Sequence, residues 1–522
     1  MGILADIGHL TRLAHAGFVL AREGVFSGLD PGLVPAPARL PLALAKLMAR
    51  RGTATGVNRL AIAIARLGPS YVKLGQFLAT RPDVVGANIV RELGHLQDRM
   101  APFPQEVAIA IIEAALERKV ADVFSQFSQP VAAASIAQVH RARLRDSGAE
   151  VAVKVLRPGV ERRFARDLGD MYFAARLAEK FVPDAARLKP VEVVDTLARS
   201  VKMEMDFRLE AAAASEFAEN VARDADFRVP KIDWDRTAKD VLTLEWVEGI
   251  PLSDLPRLAA TGRDLPALGR HIIQSFLRHA MRDGLFHADM HQGNLFMDGE
   301  GRLVAVDFGI MGRLGVKERR FLAEILFGFI TRDYRRVAQV HFDAGYVPRI
   351  HKVEDFAQAI RAIGEPIHSR TADQISMAKL LTLLFEVTGL FDMKTRIELV
   401  MLQKTMVVVE GVARTLDPQL NMWATSEPVV RAWIEENLGP LGKLRDAGAG
   451  LAGFGGLVAS LPGLVERALT VGAALEESIG RGFALSAESV EAIGRAEARR
   501  ARWGNFALWV IAAGVGWWVW GR

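Results

Sequence analysis

The chain contains no cysteine. That absence removes disulfide scaffolds, thiolate zinc sites, cysteine-ligated iron–sulfur clusters and cysteine nucleophiles together. A secretory leader pattern is also missing: Asp6, His9, Arg12 and His15 interrupt each apolar stretch near the N-terminus, and no small-residue cleavage site follows. Gly2 follows Met1, but Asp6 stands where N-myristoylation needs Ser or Thr. This segment reads as an amphipathic surface helix. Nor is there a dinucleotide fingerprint. Gly453, Gly455 and Gly456 lie in the glycine-rich stretch 448–463, without a preceding strand or a suitably spaced acid, so the stretch reads as a linker or membrane-adjacent helix.

What is present describes a large folded protein. At 522 residues the chain is too long for one core, and about 150 residues per domain gives two to four units. Apolar residues at 50% and charged residues at 24% exclude a disordered chain. A mean hydropathy of +0.15 is high for a soluble enzyme and points to a segment that meets lipid. The candidate is C-terminal: residues 506–520 are fifteen without a charge or a strongly polar side chain. Adding 503–505 gives eighteen residues, against the roughly 17–25 that cross a bilayer. Five of the nine tryptophans lie within it, and Arg495, Arg499, Arg500 and Arg502 precede it. Indoles favour the interface, and the positive-inside rule then leaves the body in the cytoplasm. The net charge of +5 clusters beside this span without interleaved aromatics along a groove, so a nucleic-acid partner is not expected.

Residues 1–120 read as helices, with apolar side chains at three and four spacings through 60–67 and 107–116 and breaks at Gly68-Pro69 and Pro102/Pro104. Strand patterns follow at 131–144, 150–155 and 240–246, the last expected to end at Gly249. A single helix centred on 200–220 is expected between them. Helices dominate from Pro266, apart from two short strands near 295–297 and 304–306.

The chemistry lies in two motifs. His287, Asp289 and Asn294 stand as in a kinase catalytic loop, with asparagine five residues after aspartate, and Asp307-Phe308-Gly309 begins thirteen residues after Asn294. Binding a nucleoside triphosphate takes divalent cations, which want hard oxygen ligands from separate backbone segments. Asn294 and Asp307 can supply them, and Asp289 stands where a nucleophile's proton is taken. Upstream, Val151-Ala-Val-Lys154 puts a lysine on a strand, where it can hold phosphates and pair with a helical glutamate. Glu204 and Glu210 are six residues apart, about 600° around one helix, so they face different sides, and Glu210 is assigned to Lys154. His287 and His291 lack a third ligand, and His287 reads as a structural support of the loop.

Two features depart from protein kinases. In place of a glycine-rich loop stands Pro130-Val-Ala132-Ala133-Ala134-Ser135-Ile-Ala137-Gln138, whose alanines avoid positive φ and are expected to occupy the turn over the phosphates. No A-P-E segment follows either, because the first proline after Asp307 is Pro348 and the chain already reads as helical at Lys317.

With these motifs the chain resembles the UbiB family of atypical kinase-like proteins, related to the ADCK and COQ proteins. The marks are Lys73-Leu-Gly75-Gln76, the alanine-rich loop, Lys154, the Glu204/Asp206 pair, His287 to Asn294 and Asp307 to Gly309, in the family's order. Gln292, where the family commonly has proline, is a departure away from the presumed ligands. The resemblance implies an α+β, two-lobed kinase-like fold with an N-terminal helical extension and a C-terminal transmembrane helix. The expected domains are an extension at 1–120, an N-lobe at 121–247, a helical C-lobe at 248–440, a linker at 441–502 and an anchor at 503–521. It further implies that Lys73 and Gln76 gate the cleft, with Lys73 meeting Glu204 and Asp206. From the residues alone, Lys73 and Gln76 could equally be a polar cap between helices. Ala132, Ala133, Ala134, Ser135, Lys154, Glu245 and Val247 are the expected nucleotide contacts. The expected catalytic residues are Asp289, Lys154 and Glu210, and the expected metal ligands Asn294 and Asp307.

The function so implied is a Mg2+-dependent ATPase supporting ubiquinone biosynthesis at the cytoplasmic face of the bacterial inner membrane. Its partners would be anionic lipid, polyprenylated ubiquinone precursors and other ubiquinone-synthesis proteins. A nucleotide-binding scaffold and a small-molecule or lipid kinase stand as alternatives. A polyprenylphenol hydroxylase finds no support, since the sequence shows no flavin fingerprint, haem site or iron triad. The lipid, the phosphoryl acceptor and the oligomeric state are not legible.

Overall fold

Alternation of apolar and polar side chains builds the first sheet. The computed structural model describes residues 3–28, 36–50, 59–79, 85, 89, 92–93, 96, 100–181, 189–368, 387, 389–393 and 397–439. Strands β1 (Phe124–Ala133), β2 (Ala137–Leu144) and β3 (Glu150–Leu156) run antiparallel in that order. β3 buries Val151, Val153 and Val155 on one face and carries Lys154 on the other. Branched side chains suit such a half-buried pleat. The strand pattern at 131–144 is therefore two strands. Ala132 pairs with Val139 and Ala133 with Gln138, so only residues 134–136 form the turn.

The helices before the sheet include, among the described residues, α1 (Ile3–Arg22), α2 (Ala36–Leu47), α3 (Arg59–Leu67) and α4 (Pro69–Leu78). Another, α5 (Gln105–Leu116), lays Ala108 and Ile112 over the buried valines. The opposite side of the sheet meets α6 (Val160–Phe181), α7 (Pro190–Glu204) and α8 (Phe207–Val221), through Phe164, Leu197, Val201 and Phe207. Each such side chain contributes about 1.5–3 kcal/mol when fully buried. Tyr71, Leu74 and Phe77 of α4 pack on the same cluster, which seats the extension against the N-lobe.

The helix expected around 200–220 is two helices. Asp206 breaks it: its backbone is extended, and its side chain accepts the Arg208 N–H at 3.2 Å, capping α8. Glu204 and Glu210 thus face apart because the chain turns between them, not because of helical rotation.

A second sheet takes β4 (Phe227–Arg228), β5 (Val241–Glu245) having joined the first beside β3, then β6 (Gly249–Pro251), β8 (Leu295–Asp298) and β9 (Leu303–Ala305) in the order β4-β9-β8-β6. Gly249 therefore opens a strand rather than ending one. A Cβ there would lie 2.8 Å from the Met297 carbonyl oxygen, so the close pairing of β6 with β8 needs glycine. β7 (Leu285–His287) pairs with β10 (Met311–Arg313). Beneath lie α9 (Leu265–Arg278), a π-turn at His279–Asp283, α10 (Val316–Ile330), α11 (Tyr334–Asp343), α12 (Val353–His368), α13 (Ile397–Leu416) and α14 (Met422–Leu438). α9, α13 and α14 share one core with the catalytic-loop residues Ala288 and Met290. Ala214, Phe217 and Val221 of α8 join that core, so the two lobes interleave.

By its contacts the chain divides into residues 1–435 and 436–522. The expected linker at 441–502 and anchor at 503–521 lie outside the described residues. Among the described residues no helix is long and apolar enough to cross a membrane.

Candidate active site

Lys154 stands at the centre of the cleft. Its ammonium donates to both carboxylate oxygens of Glu210, at 2.9 and 3.0 Å, and to Asp307 Oδ1 at 3.2 Å. Burial disfavours the Lys154 charge, but Asp307 and Glu210 outweigh it and raise the amine's hold on its proton. Burial pushes the Glu210 carboxyl up to about 7, against the pull of Lys154. It pushes Asp307 up as well, yet Lys154 foremost holds that carboxyl below the usual carboxylate range. Asp307 therefore stays ionised while its side chain remains 49% exposed, open to a ligand. Its backbone is left-handed, at φ 65°, a conformation that aspartate tolerates and that gathers at functional turns.

The loop 287–294 is held by its own backbone. His287, at the end of β7, is 1% exposed; its Nε2–H donates to the Val306 carbonyl at 3.2 Å and its Nδ1 accepts the Asp289 N–H at 3.1 Å. One ring nitrogen donates and the other accepts, so the imidazole is neutral, and burial lowers its pKa to match. His291 Nδ1 likewise accepts the Gly293 N–H, at 3.0 Å. Asn294 Nδ2 donates to the Asp289 carbonyl at 3.1 Å, which turns its amide oxygen away from that bond. The half-buried Asp289 carboxylate is fixed in place through its neighbours.

α4 delivers Lys73, which is ion-paired with Glu204 at the end of α7; the two side chains are only 10% and 11% exposed. Gly75 lets α4 approach closely, since a Cβ there would lie 2.4 Å from Leu96 Cδ1. Gln76 is half-buried on the same helix. Asp206 does not join Lys73 as expected. Besides capping α8, its carboxylate takes the Arg208 guanidinium at 2.9 and 2.7 Å, which satisfies it locally.

The alanine-rich segment is clamped from the extension side. Ala132 and Ala133 are strand residues, while Ala134 and the buried Ser135 make the turn. Arg157 bridges the Ala134 and Ala101 carbonyls, both at 2.8 Å. The fully buried Gln138 exchanges hydrogen bonds with the Phe103 N–H and carbonyl, at 2.9 and 3.2 Å. The Glu245 carboxylate is taken by Arg228 at 3.0 and 3.1 Å, and the Glu245 N–H bonds the Lys231 carbonyl. Val247, two residues on, is half-buried at the passage between the lobes. Sequence reading gives Gln138 a place in the loop but no role, and it misses Arg157 and the α13 residue Lys404, whose amine senses the charges of both Asp289 and Lys73.

Residues 95–341 match the ABC1 atypical kinase-like domain, and residues 360–421 the UbiB helical domain. A Marinobacter nauticus protein named "probable protein kinase UbiB" is 40% identical over 443 residues, spanning 84% of this chain and 81% of its own. The chain belongs to the UbiB family. Membership carries a kinase-like fold, ATP use and a role in ubiquinone biosynthesis. A Pseudomonas aeruginosa relative of the same name is 42% identical over 393 residues, 74% of each chain. Among solved structures, a complex of Rv3197 with erythromycin from Mycobacterium tuberculosis has a TM-score of 0.51 and 26% identity, covering 70% of this chain and 93% of that one.

The donors would suit a hard divalent cation. Asn294 and Asp307 offer hard oxygens, and among the described residues no cluster of three His, Asp or Glu forms an all-protein cage. Magnesium is commonly held this way, by one or two protein oxygens completed by phosphate and water.

Proposed function

We propose that this UbiB-family protein is a Mg2+-dependent ATPase, anchored at a bacterial inner membrane, whose turnover helps present polyprenylated ubiquinone precursors to other enzymes of the pathway. The observation that carries this reading is Lys73: a residue of the extension stands within the cleft, paired with Glu204 and close enough to lower the Asp307 pKa. The relatives are named probable protein kinases, but a cleft already entered by its own N-terminal extension favours water or a small acceptor over a peptide.

Bound Mg2+ would neutralise the phosphate oxygens, and Asn294 and Asp307 are its ligands. Lys154, aligned by Glu210, holds the phosphates. Asp289, fixed through His287, orients the nucleophile and accepts its proton. Lys73 and Gln76 restrict access. The aromatic, arginine-flanked C-terminal segment supports a lipid-facing role.

The test is phosphate release from Mg-ATP by the purified full chain, with and without anionic liposomes, beside Asp307→Asn. Release that lipid stimulates and the variant loses supports the reading. Tight ATP binding without release replaces it with a scaffold, and a phosphorylated lipid product replaces it with a kinase.

A further inference from the structure

Among the described residues, three lysines lie on elements that meet at this site, and two of them are committed. Lys154 is held by Glu210 and Asp307, and Lys73 by Glu204. The third, Lys404, comes from α13, within the helical domain that follows the kinase-like domain. Its neighbour Thr405 is fully buried, and its single hydroxyl proton lies between the Met401 carbonyl of its own helix, at 2.8 Å, and the Ala288 carbonyl, at 3.0 Å, one residue before Asp289. The second contact sets α13 directly on the catalytic loop.

The surroundings of Lys404 are those of a cleft-lining residue. The residue counts as exposed, yet burial pushes its amine down from the ordinary lysine value; Asp289 draws it back up and Lys73 pushes it down. Among the described residues, no carboxylate pairs with Lys404. The loop His287 to Asn294 itself contains no lysine or arginine, so no permanently charged side chain of the loop stands beside Asp289.

We propose that Lys404 is a phosphate-binding residue, delivered from the helical domain to contact the terminal phosphate of the bound nucleoside triphosphate. This rests on the nucleotide reading above and deepens it. The α13 helix thereby becomes part of the active site, and the helical domain is needed to complete it. A diphosphate, lacking the terminal group, would not use this contact.

The test measures binding of fluorescent ADP and of a fluorescent β,γ-imido ATP analogue, both with Mg2+, to the full chain and to Lys404→Ala and Lys404→Arg. Circular dichroism and thermal melting establish that each variant is folded. Loss of a charge-assisted contact predicts that Lys404→Ala weakens the triphosphate analogue by roughly tenfold or more and leaves ADP within about twofold. Lys404→Arg is expected to keep most of the triphosphate preference. An unchanged ratio of triphosphate to diphosphate affinity in folded Lys404→Ala overturns the proposal. Equal weakening of both nucleotides also overturns it, because the contact would then not be to the terminal phosphate. If the native chain binds neither nucleotide, the underlying nucleotide reading fails first and takes this one with it.

Discussion

Replacing Lys73 by methionine isolates the charge that ties the extension to the N-lobe. Methionine keeps the unbranched stem and a strong helix propensity within α4, so the principal loss is the ammonium. The partner left behind, Glu204, is only 11% exposed and ends α7. Removing one member of a buried ion pair costs about 3–5 kcal/mol, chiefly through the stranded charge. Glu204→Gln is expected to cost less, because it strands a cation on a long stem that can shift toward water. The double variant removes both charges, so its cost should fall short of the sum by about 2 kcal/mol. The assay is urea unfolding of the four proteins followed by far-ultraviolet circular dichroism. Amide hydrogen exchange over residues 69–78 gives a local readout that should rise in either single variant. If the two substitutions add to within about 0.5 kcal/mol and exchange in α4 does not change, the latch is refuted. Lys73 would then be no more than a surface cap.

Asp224→Asn should flatten the acid limb of the stability profile. Burial pushes Asp224 up, but His279 at 3.0 Å and Arg282 at 2.7 Å hold it well below the usual carboxylate range. The unfolded chain then binds more protons than the folded one below about pH 4, so the stability Asp224 contributes is complete above that value and is lost as pH falls; thermal melts between about pH 6 and 3 check it. Thr405→Val keeps the side-chain shape and removes the hydroxyl that lies 2.8 Å from the Met401 carbonyl and 3.0 Å from the Ala288 carbonyl, loosening α13 from the catalytic loop. A cost of about 1–3 kcal/mol is expected, read as a lowered melting temperature together with a fall in nucleotide affinity.

Residues close in the chain or set by period were legible. Valine alternation at 151–155 exposes Lys154, and the spacing of Asp289, Asn294 and Asp307 places three acceptors on two adjoining loops. Glu210 was matched to Lys154 correctly but by a faulty argument, since the continuous helix on which that argument depended is broken by Asp206. A short polar side chain can cap its own backbone or reach a distant partner, and sequence alone does not distinguish the two. The long helix α6 escaped notice although Val160, Phe164 and Leu168 recur at four-residue spacing, because five charged side chains stand among them in Val160–Gly169. Lys404 was illegible for a different reason: nothing local in α13 reports that Thr405 will reach the Ala288 carbonyl from 117 residues away.

The nucleotide cleft is bordered by contacts that a bare two-lobed kinase-like core would not need. From one side the extension contributes Lys73 to Glu204 and clamps the alanine-rich turn through Phe103 and Gln138. From the other, α13 seats on the catalytic loop through Thr405. In a flexible phosphate loop, glycines let the backbone close over the nucleotide. Here alanines and a fully buried glutamine resist that motion, and the extension would have to shift for the turn to change shape. On the proposed function, nucleotide occupancy and extension position would be coupled through residues 100–103 as well as through Lys73. Such coupling would be reciprocal: any ligand that moves the extension would alter nucleotide affinity by the same factor that nucleotide alters the affinity for that ligand.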